Sequence, residues 1–263
     1  ANAQHNAGVL YLNGIGVSKN ANLSASYFEM AAKNNLPDDQ YNTGLCYKNG
    51  NGVSKNEATA LLWFEKAANQ KIVDAQYETA CAYEAGLGTK ADAKKAFEWM
   101  DKAADGNNIN AQYKLGMFYK YALGTKQDYD KAVKYLKKAA DKDIKNPSRL
   151  EEAAAKKKFA LAQYELGLMY RNGIGTTKDD SEAFRMFEKA ADQKLPQAIC
   201  ALADCYRDGL GIAKDDKVAF KKYAEAAKMD YAEAIYNLGK CYQNNLGTAK
   251  DDKEAVKQYK KAA

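Results

Sequence analysis

The chain is poor in the residues that most catalytic and metal-binding chemistry requires. It has one histidine, His5, among 263 residues, so no cluster of histidines can form round a metal ion. Its five cysteines are an odd number, and no Cys-x-x-Cys pair occurs among them. That removes both the commonest zinc signature and a regular disulfide framework. Three prolines leave little room for disordered linkers. No apolar run approaches the roughly 18 residues that a membrane span needs. A continuous basic stripe of the kind that follows nucleic acid is missing too. The net charge is +6, and the stretch 145–159, "KNPSRLEEAAAKKKF", supplies five positive and two negative charges, a net +3. The remainder is nearly balanced. No signal peptide is visible, but neither is an initiator methionine, so that absence excludes nothing.

Repetition takes the place of these features. "YRNGIGTTKDD", from Tyr170 to Asp180, holds a Gly-x-Gly that could be read as a phosphate cradle. Near-copies start at Tyr11, Tyr47, Tyr83, Tyr119, Tyr206 and Tyr242, at intervals of 36, 36, 36, 51, 36 and 36 residues. A catalytic loop is normally used once, whereas seven copies indicate an architectural element. The odd interval is 36 plus 15, so one junction carries a 15-residue insertion. The expected units are about 1–36, 37–72, 73–109, 110–144, 160–195, 196–230 and 231–263, with the insertion at 145–159, forming a single repeat domain over 1–263.

Positions can be counted from the tyrosine. Minus 8, minus 4 and zero share one helical face, for example Ala162, Leu166 and Tyr170,. Minus 3 is Gly or Ala throughout, which implies close approach of a second helix. Plus 5 is glycine seven times, Gly16 to Gly247, and plus 3 is Gly except at Ala122 and Asn245. A first helix therefore ends in a left-handed residue. Plus 9 is always Asn or Asp, from Asn20 to Asp251, and caps a second helix,. Asp179 with Glu182, and Asp251 with Glu254, predict capping boxes. In the second helix, plus 13, 17, 20 and 21 read small, large, small, small, with Ala-Ala closing every unit. The opening stretch is thus a helix stop, a connector and a helix start. Its paired aspartates complement a helix N-terminus and would repel a phosphate. The spacing predicts an all-α, α/α solenoid of seven 36-residue helix-turn-helix repeats, with a helical insertion between repeats four and five. Pro147 and a Ser148–Glu151 capping box predict that the first helix of repeat five starts near Arg149 and runs to about Arg171. The alternative is a break near Lys158.

The pattern A-x-x-x-L-G-x-x-Y-x-x-G-x-G, a capping Asp, then A-x-x-x-[FY]-x-K-A-A resembles the Sel-1-like repeat family. "ALAQYELGLMYRNGIG…DDSEAFRMFEKAADQ" carries the resemblance most closely, and it covers residues 3–263 apart from the insertion. Tetratricopeptide repeats share the helix-pair logic but not the Gly-x-Gly turn. The resemblance implies a right-handed superhelix and a scaffold or adaptor role. It also implies settings such as ER-associated degradation, regulation of cell-wall synthesis, or bacterial signalling and host interaction. A secreted branch of the family has one disulfide per repeat, and this chain departs from it.

No catalytic or metal set emerges. His5 sits in a slot that holds Tyr in five other units and Cys200 in the sixth, which suits a surface histidine. Cys46, Cys205 and Cys241 share a slot with Leu10, Ala82, Phe118 and Met169, which reads as a buried apolar position,. Such reduced thiols favour an intracellular compartment. The acidic pairs Asp179-Asp180, Asp215-Asp216 and Asp251-Asp252 read as caps. The candidate site is a surface. Minus 6 is Tyr41, Tyr77, Tyr113, Tyr164 and Tyr236, and plus 1 is mainly basic, with Lys48, Lys120, Arg171 and Arg207 beside Glu84. By analogy with other helix-pair solenoids, this stripe lines a concave groove that takes a peptide or a partner's acidic helix. The other reading packs the tyrosines between helices with their hydroxyls in water, and both can hold. Asn13, Asn49, Asn172 and Asn244 suit either a partner's backbone or a helix end. The expected function is a non-enzymatic protein-interaction scaffold. It needs no cofactor, nucleic acid, small-molecule ligand or membrane insertion. The alternative is a regulatory repeat domain of a larger protein whose catalytic part lies elsewhere. Neither end shows the polar cap that an array needs, so continuation at one or both ends is expected.

Overall fold

The structure, a computed structural model, describes residues 2–140 and 149–263, with the backbone alone over 149–158. Pro147, Ser148 and residues 145–146 of the insertion therefore lie outside the described residues. Everything described is helix or connector. The helices are α1 (Asn2–Asn13), α2 (Ala21–Lys33), α3 (Pro37–Asn49), α4 (Glu57–Asn69), α5 (Val73–Ala85), α6 (Ala93–Asp105) and α7 (Ile109–Tyr121). They continue with α8 (Tyr129–Ala140), α9 (Arg149–Asn172), α10 (Asp180–Asp192), α11 (Pro196–Asp208), α12 (Asp216–Ala227), α13 (Ala232–Asn244) and α14 (Asp252–Ala262). Each helix packs chiefly on its neighbours in the chain, the arrangement of a solenoid,. Packing divides the chain into two compact units, 1–127 with α1 to α7 and 128–263 with α8 to α14.

The turn works as its residues predict. At plus 3, Gly50, Gly86 and Gly209 are left-handed caps, and Ala122 and Asn245 adopt the same conformation at φ 57° and 55°. The capping residues Asn20, Asn56, Asp92, Asp128, Asp179, Asp215 and Asp251 each accept a bond from an amide of the helix they start. The two capping boxes do not close. The amides of Asp179 and Asp251 donate instead to the carbonyls of Tyr170 and Tyr242, at 3.0 Å each. Glu182 turns to Arg185, and Glu254 to Lys257 and Gln258. The same amide-to-tyrosine bond recurs at Asn20, Asn56, Asp92 and Asp215, so it sets the loop's shape.

Tertiary packing explains the glycines. A Cβ on Gly44 would lie 2.5 Å from the Phe64 ring, and one on Gly167 would lie 2.6 Å from Phe187. The minus 3 glycine is thus the notch that admits the large plus 17 side chain. At plus 5 the obstacle belongs to the preceding repeat. A Cβ on Gly52 would meet the Ala21 carbonyl, one on Gly88 that of Glu57, and one on Gly211 that of Asp180. Each obstacle is the first residue of the preceding repeat's second helix. The slot shared by Cys46, Cys205 and Cys241 is buried as expected, except at Leu10 in the first repeat, which is 40% exposed. The helix α9 runs from Arg149 to Asn172 without the alternative break, over 24 residues against 11 to 13 in the others.

Candidate functional site

The minus 6 tyrosines lie on the first helices, and Tyr41, Tyr164 and Tyr236 lean on the second helix of their own repeat. Tyr41 meets Phe64 with ring centroids 5.8 Å apart, Tyr164 meets Phe187 at 5.8 Å, and Tyr236 meets Tyr259 at 5.5 Å. Three tilted pairs with nearly one geometry make the ring a fixed feature of the repeat. Tyr41, Tyr77, Tyr113 and Tyr164 are half-buried, and Tyr236 is 50% exposed. Burial raises the Tyr77 hydroxyl pKa and pushes that of Tyr164 up to about 12. These tyrosines thus pack through their bodies while keeping part of their surface in water.

The plus 1 side chains are more engaged than their sequence positions suggest. Lys48 Nζ lies 2.5 Å from Glu78 Oε2, tying repeat two to repeat three. The sign reverses at the next junction, where Glu84 pairs with Lys114. Lys120 lies over the Tyr121 ring at 5.1 Å, and Arg171 over the Phe187 ring at 5.7 Å. Arg207 donates to the buried Tyr223 hydroxyl at 2.7 Å and holds Asp208 through two nitrogens, at 2.8 and 2.6 Å. Its Nη1 also lies 3.0 Å from Asp204, which accepts the Tyr223 proton at 2.6 Å. Burial and that bond to Asp204 raise the Tyr223 pKa, while Arg207 lowers that of Asp208. The basic row is therefore largely engaged by side chains of its own or the next repeat.

Other sequence readings find plain places. His5 is half-exposed, but its Nδ1 lies 2.9 Å from Oδ1 of Asp39, which is 1% exposed. Asp39 occupies the minus 8 slot that is Ala in every other unit, and burial raises its pKa against the opposing effect of His5. The Asn13 side chain donates to the Val9 carbonyl, a helix-end role. Lys178–Asp180, Lys214–Asp216 and Lys250–Asp252 join the acidic pairs to the preceding loop at 3.4, 3.6 and 3.3 Å. Among the described residues, no three His, Cys, Asp or Glu side chains gather as a metal site. No helix there is long and apolar enough to cross a membrane.

Two recurrent features escaped the sequence reading. Minus 7 is a glutamine in most units. Gln40, Gln76, Gln112 and Gln163 each donate to the carbonyl of the last alanine of the preceding repeat, at 3.2 to 3.4 Å. They peg consecutive helix pairs together, and the periodic glutamine was visible in the sequence. At plus 14, Phe97, Phe184 and Phe220 set their rings edge-on against Tyr119, Tyr206 and Tyr242 of the following repeat, at 5.4, 5.6 and 5.4 Å.

The helix pairs, the plus 5 glycines and the Ala-Ala closures agree with one family model. The Sel1 repeat model matches residues 1–36, 37–71, 73–108, 109–144, 160–195, 196–231 and 232–263. The chain belongs to the Sel1 repeat family. Sel1 repeats typically form protein-interaction scaffolds and are generally non-catalytic. The structure resembles that of c5321, described as a protective antigen present in uropathogenic Escherichia coli strains, with TM-score 0.86 and 29% identity. That match covers 99% of this chain and 53% of the Escherichia coli chain. A Sel1 repeat protein from Oxalobacter formigenes matches with TM-score 0.79 and 27% identity, over 99% of this chain and 96% of that one. A comparison with curated proteins returns no match.

Proposed function

We propose that this Sel1 repeat chain is a non-enzymatic scaffold that binds a peptide or partner protein on the face of its first helices. The single domain expected over 1–263 is part of this proposal. The observation that carries the reading is the tyrosine row. Tyr41 and Tyr164 are each held at 5.8 Å on a phenylalanine of the second helix, and part of each ring stays open to solvent. Rings fixed in this way lose little conformational freedom on binding, which favours them as anchors. Within 1–127, Tyr77 and Tyr113 occupy the same slot as Tyr41, with Lys48 and Lys120 at plus 1; within 128–263, Tyr236 occupies the same slot as Tyr164, with Arg171 and Arg207 at plus 1. Because those cations already have partners, an acidic peptide would have to replace Glu78 at Lys48 or Asp208 at Arg207. Apolar and hydrogen-bonding contacts with the tyrosines are therefore the main expected source of affinity.

The test is affinity capture with mass spectrometry, followed by the double variant Tyr113→Ala with Lys120→Glu. The variant is expected to lower partner capture at least tenfold while helicity and melting temperature stay near those of the parent. Unchanged capture with early melting would show that these residues are core and sink the proposal. A second reading makes the chain a regulatory repeat domain of a longer protein. It is supported by the length of the Escherichia coli relative, of which this chain spans 53%.

A further inference from the structure

A cavity of about 290 Å³ lies at the junction of repeats two and three. Its walls are mostly apolar, including Leu61 and Phe64 from α4 and Cys81, Ala82 and Leu87 from α5 and its turn. Lys48 and Glu78 also line it.

The internal repeats show why this junction is hollow. Repeats three, five and six carry phenylalanine at plus 14, and each ring packs edge-on against the next repeat's tyrosine. Repeat two has Leu61 there, and repeats one and four have the still smaller Ala25 and Val133, so what sets this junction apart is Ala82, in the slot that holds Leu, Cys, Phe or Met in every other unit. In repeat five, Arg171 lies over the Phe187 ring at 5.7 Å. In repeat two, the corresponding Lys48 is drawn away to Glu78 at 2.5 Å, and Phe64 is left as part of the cavity wall. A small residue at Ala82 and a lysine turned to Glu78 thus coincide at one junction.

The chemistry of the missing occupant follows from the walls. The charged pairs round the cavity, Lys48–Glu78 and Lys55–Glu57, are each closed on themselves, at 2.5 and 3.0 Å. No net charge calls for an ionic guest. An apolar cavity of about 150 Å³ already admits a benzene ring, so this one has room for a phenyl or phenol group. The Phe64 ring in the wall offers the offset or edge-on contact that aromatic pairs favour.

We propose that this cavity is a socket for one aromatic side chain of a protein partner, seated against the Phe64 ring beside Ala82, whose slot carries the aromatic Phe118 in the next repeat. The proposal rests on the scaffold reading and names the partner's anchoring residue. The test uses N-acetyl-phenylalanine amide as the probe, with N-acetyl-alanine amide as the control, titrated into isotope-labelled protein and followed by NMR. Saturable shifts at the amides of Leu61, Cys81 and Leu87 are expected with the aromatic probe alone. Leu61→Phe, which adds the ring that other repeats carry, should weaken them at least tenfold. Cys81→Met, which narrows the cavity from its other wall, should do the same if Leu61→Phe disturbs folding. Absence of saturable shifts in the parent would overturn the socket, as would equal binding by either folded variant. Neither result touches the scaffold reading, which is judged by partner capture.

Discussion

Gly175 stands at φ +64°, and a Cβ built on it would lie 2.5 Å from the carbonyl oxygen of Tyr129. Two separate penalties therefore meet a side chain there. The left-handed backbone alone costs a non-glycine residue roughly 1–2 kcal/mol, and a β-branched one more. The contact with backbone cannot be relieved by turning a rotamer. Gly175→Val is expected to destabilise by more than about 2 kcal/mol, read from the denaturation midpoint. Gly16 isolates the first penalty, because it has φ +72° but no atom within 4 Å of its Cβ position. Gly16→Val should therefore cost clearly less than Gly175→Val. Equal midpoint shifts would show that the contact with the preceding repeat contributes nothing. Seven glycines at one position made the turn legible from sequence. The carbonyl of the preceding repeat was not, because it comes from a residue 31 to 46 positions earlier, as in Gly52–Ala21 and Gly175–Tyr129. The capping boxes failed at this same scale. Spacing placed the glutamates correctly, but the cap amides were already committed to tyrosine carbonyls.

Among the elements, α9 departs from its siblings. Strong helix formers in "RLEEAAAKKK" carry it back to Arg149, and the absence of Pro and Gly up to Gly167 leaves nothing to stop it,. The eleven residues by which it exceeds a 13-residue sibling correspond to about 16 Å of helix at ~1.5 Å per residue,. Deleting 145–159 would leave 160–172, a 13-residue helix like the others, and restore the 36-residue period. The deleted protein is expected to remain helical by circular dichroism and monodisperse by size-exclusion chromatography. An unfolded product would show that the insertion is a packed part of the array. Helix identity and length were legible because period, caps and stops are local. The glutamine pegs and the plus 14 rings were less so, since their partners sit in the neighbouring repeat.

On the scale of the whole molecule, the five thiols report how well the helix pairs are packed. All are free, four are buried and Cys81 is half-buried. Burial pushes Cys200 and Cys205 up to about 12 and Cys241 up to about 11, and it raises Cys46 and Cys81 as well. The thiolate is the reactive form, so raised values mean protonated, slow thiols at pH 8. An aromatic disulfide reagent is expected to modify Cys81 first, faster as pH rises, and the other four only in denaturant. Prompt reaction of all five in native buffer would contradict the packing described here. Sequence alone determined the period, the turn, the caps and the small-large-small face of each pair, because these depend on the local backbone and on an identical neighbour. Tertiary structure decided what varies between repeats. It paired Lys48 with Glu78, buried Asp39 under His5, and left a hollow beside Leu61. Those outcomes depend on which side chains face one another across a junction, and a repeat read by itself does not contain its neighbour.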